Sequence, residues 1–342
     1  MGATREVLRR ALRAGAYVGE RDDRGAEDLI DTGVRLLAAA GGRAVCVDDP
    51  EYPARLRLLK GAPEVVFLTG RWNLPKRVVT IVGSRSATAD ACDLAEELAA
   101  SLARNGIAIL SGLARGIDAA AHRGALRAGG LSGAVLGTGL NEVYPPEHVA
   151  LQRELQASVG LLTERFPGSS PTRSTFAMRN RLLAALADAV ILVQAGKKSG
   201  ALHTTEAAKR LGRKIGAYPW DVFEPLAAGT NEAIRRGATL VRGPADVRAL
   251  LKGKPHSASD APSRNRRERE PKEDPARVAV AELGPRETML LHALRRRPQP
   301  LESAATQAKL TFAEAGAAFG LLEVLGLACR EPGGAVRLTR GR

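Results

Sequence analysis

A chain of 342 residues, at ~150 residues per domain, predicts two or three domains. With 44% hydrophobic and 26% charged residues it can bury a sizeable core, which excludes wholesale disorder. Lys and Arg number 51 against 37 Asp and Glu, and this formal charge of +14 points to an anionic partner such as nucleic acid. The excess is spread along the chain, so its placement within motifs has to carry the argument. No stretch approaches the ~18 uncharged apolar residues of a membrane span. The opening MGATREVLRRALRAG lacks the apolar core of a signal peptide, so a cytosolic protein is expected. Cys46, Cys92 and Cys329 form no CxxC pair and read as reduced core thiols.

Residues 1–45 carry an amphipathic helical pattern at DLIDTGVRLLAAAGG and read as a small helical cap. Residues 46–76 read as an extended connector with a strand at EVVFL. From there β-branched runs alternate with Ala/Leu-rich helical stretches, the signature of βαβ units and a parallel sheet. Strands are expected at VVTIV (Val78), GIAIL (Gly106), GAVLG (Gly133), GLLTE (Gly160), AVILV (Ala189), KIGAY (Lys214) and ATLV (Ala238). Between the first two, Thr88 reads as a helix N-cap and Gly106 as the stop. The fold class is α/β, an extended Rossmann-like doubly wound domain over 46–251 with ligands at the carboxyl ends of its strands. Residues 252–277, rich in Pro, Ser and mixed charge, read as a flexible linker. Residues 278–342 give three helices and a hairpin around Gly333 and Gly334, the order of a winged helix.

Four strand-end loops concentrate Gly, Ser and basic residues, the chemistry of phosphate cradling. In VGSRSAT, Arg85 occupies the place of the second glycine of GxGxxG, which disfavours a dinucleotide cofactor and suits a nucleic-acid phosphate, a solvated turn arginine being the alternative. In SGLARGIDAAAH, Arg115 either faces a ligand or ties the loop down, and Asp118 and His122, four residues apart, read as structural. In RSTFAMRNR, Arg179 and Arg181 lie ~200° apart on a helix, so one can serve the fold while the other contacts a ligand. Arg173 and Phe176 just ahead pair a cation with a ring that is either a base platform or core. In QAGKKSGALHTT, Lys197 and Lys198 precede Ser199 at a helix entrance, a place for an anion, but the glycine spacing of a P-loop is missing. His203 reads as a packing or capping residue, because no metal-ligand partner accompanies it. No cofactor and no metal are expected, and neither is an activated nucleophile.

Together VGSRSAT, SGLARGIDAAAH, LGTGLNEVYPPEH, the long TERFPGSSPTRSTFAMRNR…GAYP run and GTNEAIRRGA resemble the DNA-processing protein A family (DprA/Smf) over roughly residues 46–248. The resemblance implies a single-stranded DNA-binding recombination mediator that dimerises and helps load RecA onto incoming DNA in natural transformation, with a single-strand-binding protein as a further partner. Its site would include Arg85, Arg173 and Phe176, with Ser84, Arg179, Asn180, Lys198 and Ser199 around them, and the loop reading adds Arg115 to this DNA-binding set. The chain departs from the family pattern at Gln194, where Glu is common, at ALHTT, and at Trp220, where Gly is usual. Since only 4% of residues are aromatic, affinity should come mainly from phosphates with one or two stacked bases. A nucleotide phosphoribohydrolase on the same fold is the alternative; its PGGxGT loop is absent, and Glu206 alone echoes its glutamate.

Overall fold

The computed structural model describes residues 2–17, 25–253, 283–294, 298–325, 327–331 and 333–339, and of Arg173 the backbone alone. These residues fall into two compact units divided between Ser259 and Asp260. The segment read as a linker lies, apart from Lys252 and Gly253, outside the described residues.

Two helices open the first unit, α1 (Gly2–Arg13) and α2 (Ala26–Ala39). Apolar spacing on α2 turns Ile30, Gly33 and Leu37 inward. Gly33 is there because of Phe166, whose Cζ would stand 2.7 Å from any Cβ. The next strand, β1 (Arg43–Cys46), pairs antiparallel with β2 (Val65–Leu68), with the short helix α3 (Ala54–Arg57) between them. The boundary expected between 45 and 46 therefore cuts through a strand. RAVC has too little pattern to be read as one, and its strand character comes from pairing with the fully buried VVFL.

All seven strands expected from Val78 onward are present and parallel: β3 (Val78–Val82), β4 (Ala108–Ser111), β5 (Ser132–Val135), β6 (Gly160–Thr163), β7 (Ala189–Leu192), β8 (Lys214–Ala217) and β9 (Thr239–Leu240). The connecting helices are α4 (Ala89–Arg104), α5 (Ile117–Arg127), α6 (Val149–Ala157), α7 (Arg173–Leu186), α8 (Ala201–Arg210) and α9 (Ala228–Arg235), and α10 (Pro244–Lys252) follows the last strand. Sheet order is β1-β2-β6-β5-β4-β3-β7-β8-β9. Alternate residues of each strand enter opposite cores: Val78, Val82, Leu110, Val190 and Leu192 on one face, Val79, Ile81, Ile109 and Ile191 on the other. Burial on both faces explains why these strands read as near-continuous apolar runs.

Thr88 caps α4 as expected, its Oγ1 accepting from Ala91 N at 3.3 Å, and Gly106 follows the helix at φ +72°. The chain runs outward from β3 in both directions, to β4-β5-β6 and to β7-β8-β9. The carboxyl ends of β3 and β7 therefore flank the switch point, where a doubly wound sheet leaves a crevice.

The second unit holds α11 (Pro285–Ala293), α12 (Leu301–Ala308), α13 (Phe312–Val324) and the antiparallel strands β10 (Ala328–Arg330) and β11 (Val336–Leu338). Its core gathers Leu290, Ala304, Phe319, Leu322 and Val336. Thr311 and Glu314 form a capping box at the start of α13. Gly333 and Gly334, at φ +94° and +86°, turn the hairpin where the two glycines place it.

Candidate nucleic-acid interface

Three loops are stitched together at the switch point, and glycines make that possible. After β3 the chain passes through Gly83, where a Cβ would lie 2.4 Å from Ile117 Cγ1. Ser84 N donates to Gln194 O at 2.7 Å, and Ile117 N donates back to Ser84 O at 3.3 Å. Gly116 sits at φ +71°, and any Cβ there would approach Ser84 O to 2.3 Å. Buried Gln194 adds a second tie: its Oε1 accepts from Thr88 N at 2.9 Å and its Nε2 donates to Thr88 Oγ1 at 3.2 Å. The ends of β3 and β7 and the starts of α4 and α5 are thus one hydrogen-bonded assembly. The amide of Gln194 serves it with both an acceptor and a donor.

This assembly walls a cavity of about 870 Å³. Of the residues singled out in the sequence, Ser84, Arg85, Phe176, Arg179, Asn180, Lys198 and Ser199 line it together. Arg179 forms its floor. The guanidinium is buried, donates to Val135 O, and packs so tightly on Gly112 that a Cβ there would meet Nη1 at 2.1 Å. Burial pulls the Arg179 pKa down to about 10, against the opposing pull of Asp118, and the nearby charge of Arg85 lowers it further. Asp118 is buried beside it and its pKa is raised, again by desolvation first, although Arg179 and the N–H groups of Ala114 and Gly112 oppose the shift. The Nε of Arg179 has no hydrogen-bond partner.

Above that floor Arg85 is exposed, with its guanidinium 5.2 Å from the centroid of Phe176. This spacing is a cation–π contact. Phe176 in turn lies 5.3 Å from Tyr144 at 42°, and it rests on Gly137, where a Cβ would come within 2.7 Å of Cδ1. The ring read as a base platform is therefore half-buried and already covered by an arginine. What a ligand meets first is Arg85 and Tyr144. Tyr144, 41% exposed, is not among the residues singled out in the sequence. Lys198 stands exposed at the entrance to α8, while Asn180 Nδ2 holds Gly200 O at 3.2 Å and Ser199 Oγ accepts from Ala201 N at 3.4 Å. The serine and asparagine shape the rim, and the lysine charges it.

Other readings change. Arg115 does not line the cavity; it pairs with Glu147, which holds that carboxyl down at about 2. Arg181 serves the fold, bonding Gly61 O at 3.1 Å and the carboxylate of Glu164. The side chain of Arg173 lies outside the described residues, and its backbone opens α7 behind a capping box of Thr172 and Thr175. His203 is exposed on the cavity wall rather than packed. His122 is buried, its Nδ1 2.8 Å from Ser132 Oγ, and desolvation, with the charges of His148 and Arg179, lowers its pKa to about 3. Lys197 turns away from Lys198 into a second cavity between α8 and α9, and Glu206 lines that cavity too, away from Ser84 and Arg85. Among the described residues no group of three or more His, Cys, Asp or Glu is placed to hold a metal ion, and no helix is long and apolar enough to cross a membrane.

A doubly wound sheet with a basic, aromatic-flanked pocket at its switch point is a Rossmann-like architecture. Comparison with known proteins narrows the class. The family described as DNA recombination-mediator protein A matches residues 43–252. A putative DNA processing protein DprA of Mycobacterium tuberculosis is 40% identical over 239 residues, which cover 66% of this chain and 60% of that relative's length. The chain thus spans about three-fifths of that relative. The DprA of Bacillus subtilis is 34% identical over 62% of this chain and 73% of its own. Among solved structures, that of DprA from Streptococcus pneumoniae superposes with a TM-score of 0.59 at 34% identity, covering 68% of this chain and 83% of the other. The protein from Helicobacter pylori, described for its mode of single-stranded DNA binding, gives 0.56 at 28%, over 62% and 97%. The chain belongs to the DNA recombination-mediator protein A family.

Proposed function

We propose that this protein binds single-stranded DNA in the switch-point pocket and acts as a recombination mediator that holds a strand and hands it over without covalent change. The observation that carries the reading is the stack of Tyr144, Phe176 and Arg85 at the mouth of a cavity with Lys198 on its rim and the buried guanidinium of Arg179 in its lining. Cations for phosphates and rings for bases, without a groove-reading helix at the site, suit an unpaired strand. The described binding mode of the Helicobacter pylori relative points the same way. Arg85 and Lys198 hold phosphates, Tyr144 and Arg85 meet bases, and Arg173 adds a cation where α7 begins.

In the finer reading the recipient is RecA, the obstacle is a single-strand-binding protein coating incoming DNA, and the setting is natural transformation in the cytosol. Two copies joined through the α/β unit would hold one strand at both ends and gain avidity. The second unit, with its three helices and hairpin, is read as a winged helix. Titration with equal-length single- and double-stranded oligonucleotides tests the binding; equal affinity for duplex overturns it. RecA-dependent ATP hydrolysis on DNA already coated with single-strand-binding protein tests the mediator role. Earlier onset on adding the protein, lost in Arg85→Ala, is the expected result; no acceleration refutes it.

A further inference from the structure

Rings in the first unit are few, and nearly all are committed. Tyr52, Phe67 and Phe166 are fully buried, Trp72 and Tyr218 nearly so, and Tyr17 packs edge-on against Phe166 at 6.0 Å. Trp220 is pinned by its Nε1, which donates to Val193 O at 2.5 Å. Apart from the pocket pair Tyr144 and Phe176, this leaves Phe223, 90% exposed, with Val222 beside it 80% exposed.

Their position matters more than their exposure, because single apolar residues on a surface are ordinary. Both sit on the loop that leaves the carboxyl end of β8, the same end of the sheet that carries the pocket. The loop is fixed at its root. Asn231 brackets Trp220, accepting from its N at 3.1 Å and donating to its O at 3.0 Å, and Gly229 N reaches Ala195 O at 2.7 Å on the β7 loop. Asp221 then takes the N–H of Phe223 on its Oδ1 at 2.9 Å. Three residues beyond Phe223, Leu226 lines the pocket itself. Three residues of backbone span at most about 10 Å, the length of a nucleotide or two.

We propose that Phe223, with Val222, is a second base platform, which receives a base of the strand as it leaves the pocket past Leu226. The inference rests on the proposed single-stranded DNA binding. It gives the strand a direction, from Arg85 and Tyr144 across the ends of β7 and β8. An exposed ring on a rooted loop accepts any base, since every base has a π-face.

The test compares wild type, Phe223→Ala, Phe223→Trp and Arg85→Ala on oligothymidylates of about four and about twelve nucleotides. Phe223→Ala should bind the longer oligomer roughly tenfold more weakly and the shorter one as wild type does, with an unchanged melting temperature because no cavity opens. Phe223→Trp should restore the longer oligomer. A 2-aminopurine outside the pocket-bound segment should be quenched by wild type and not by Phe223→Ala. If wild type binds and Arg85→Ala does not, while Phe223→Ala matches wild type on both lengths, the platform is refuted and the pocket stands. If wild type binds neither length, both readings fall together.

Discussion

Two cavities of nearly equal size, about 870 and 860 Å³, lie on either side of α8, and they differ in how their charges are used. In the cavity between α8 and α9 most cations are engaged. Lys214 Nζ donates to Leu250 O at 2.7 Å and Leu251 O at 3.1 Å, Arg213 holds Ala185 O at 2.8 Å, and Arg236 pairs with Glu232 at 2.6 Å. At the switch point Arg85 touches a ring and Lys198 stands exposed. Volume therefore does not distinguish a site from a gap between helices. A cation already answered by a carbonyl or carboxylate gains little from a phosphate, whereas one presented on a rigid loop gains the whole contact.

Substitutions on the two sides of α8 should reflect this contrast. The largest effect is expected at the switch point: Arg85→Ala combined with Lys198→Ala should weaken single-strand binding by at least 10- to 100-fold, the ~1.5–3 kcal/mol of a charge-assisted contact. It should also reduce the slope of log K against log salt by ~0.7 per lost contact. Fluorescence anisotropy at several salt concentrations measures both. Lys209→Ala with Arg236→Ala, across α8, should change affinity less than about twofold, consistent with charges that are already paired or remote. Comparable losses from the two double variants would erase the distinction.

Stability should separate the same way at glycines. Gly116→Ala must accept φ +71° and a Cβ 2.3 Å from Ser84 O, so a loss of ~2–4 kcal/mol is expected in urea melts. Gly200→Ala, at φ −61° with nothing within 4 Å, should be neutral or slightly stabilising. A smaller and slower signature lies in acid. His122 is held neutral, with a folded pKa near 3 against ~6.5 unfolded, so below ~6.5 the unfolded chain takes a proton that the fold refuses. Its contribution, on the order of a few kcal/mol, is complete above ~6.5 and lost as pH falls toward 3. Asp118, raised by burial, acts in the opposite sense, since the fold keeps its proton at a pH where the unfolded chain has released it. Denaturant midpoints taken across this range should decline with falling pH in wild type and decline less in His122→Gln.

How much of this was legible in the sequence follows from what each feature depends on. The seven parallel strands were readable because burial on both faces writes continuous β-branched runs, and Thr88 because a cap is decided within four residues. β1 was not, since RAVC becomes a strand only through a partner some twenty residues on. Arg85, Phe176, Arg179 and Lys198 converge as their loops suggested. Their division of labour was hidden: nothing local says that Arg179 goes under Gly112, that Arg115 meets Glu147 thirty-two residues away, or that Lys197 and Lys198 face different cavities. Tyr144 was missed for the same reason, because its importance comes from Phe176 standing 5.3 Å away.

Gln194 has a mechanical consequence. Through its backbone oxygen it holds Ser84, and through its amide it holds Thr88 at both N and Oγ1, so the two wings of the sheet are fastened across their seam. These bonds set the spacing between the carboxyl ends of β3 and β7, and with it the position of Ser84 and Arg85 in the pocket wall. A Glu at this position would keep the Thr88 N–H contact and accept from the Thr88 hydroxyl, so the seam would stay closed with either side chain.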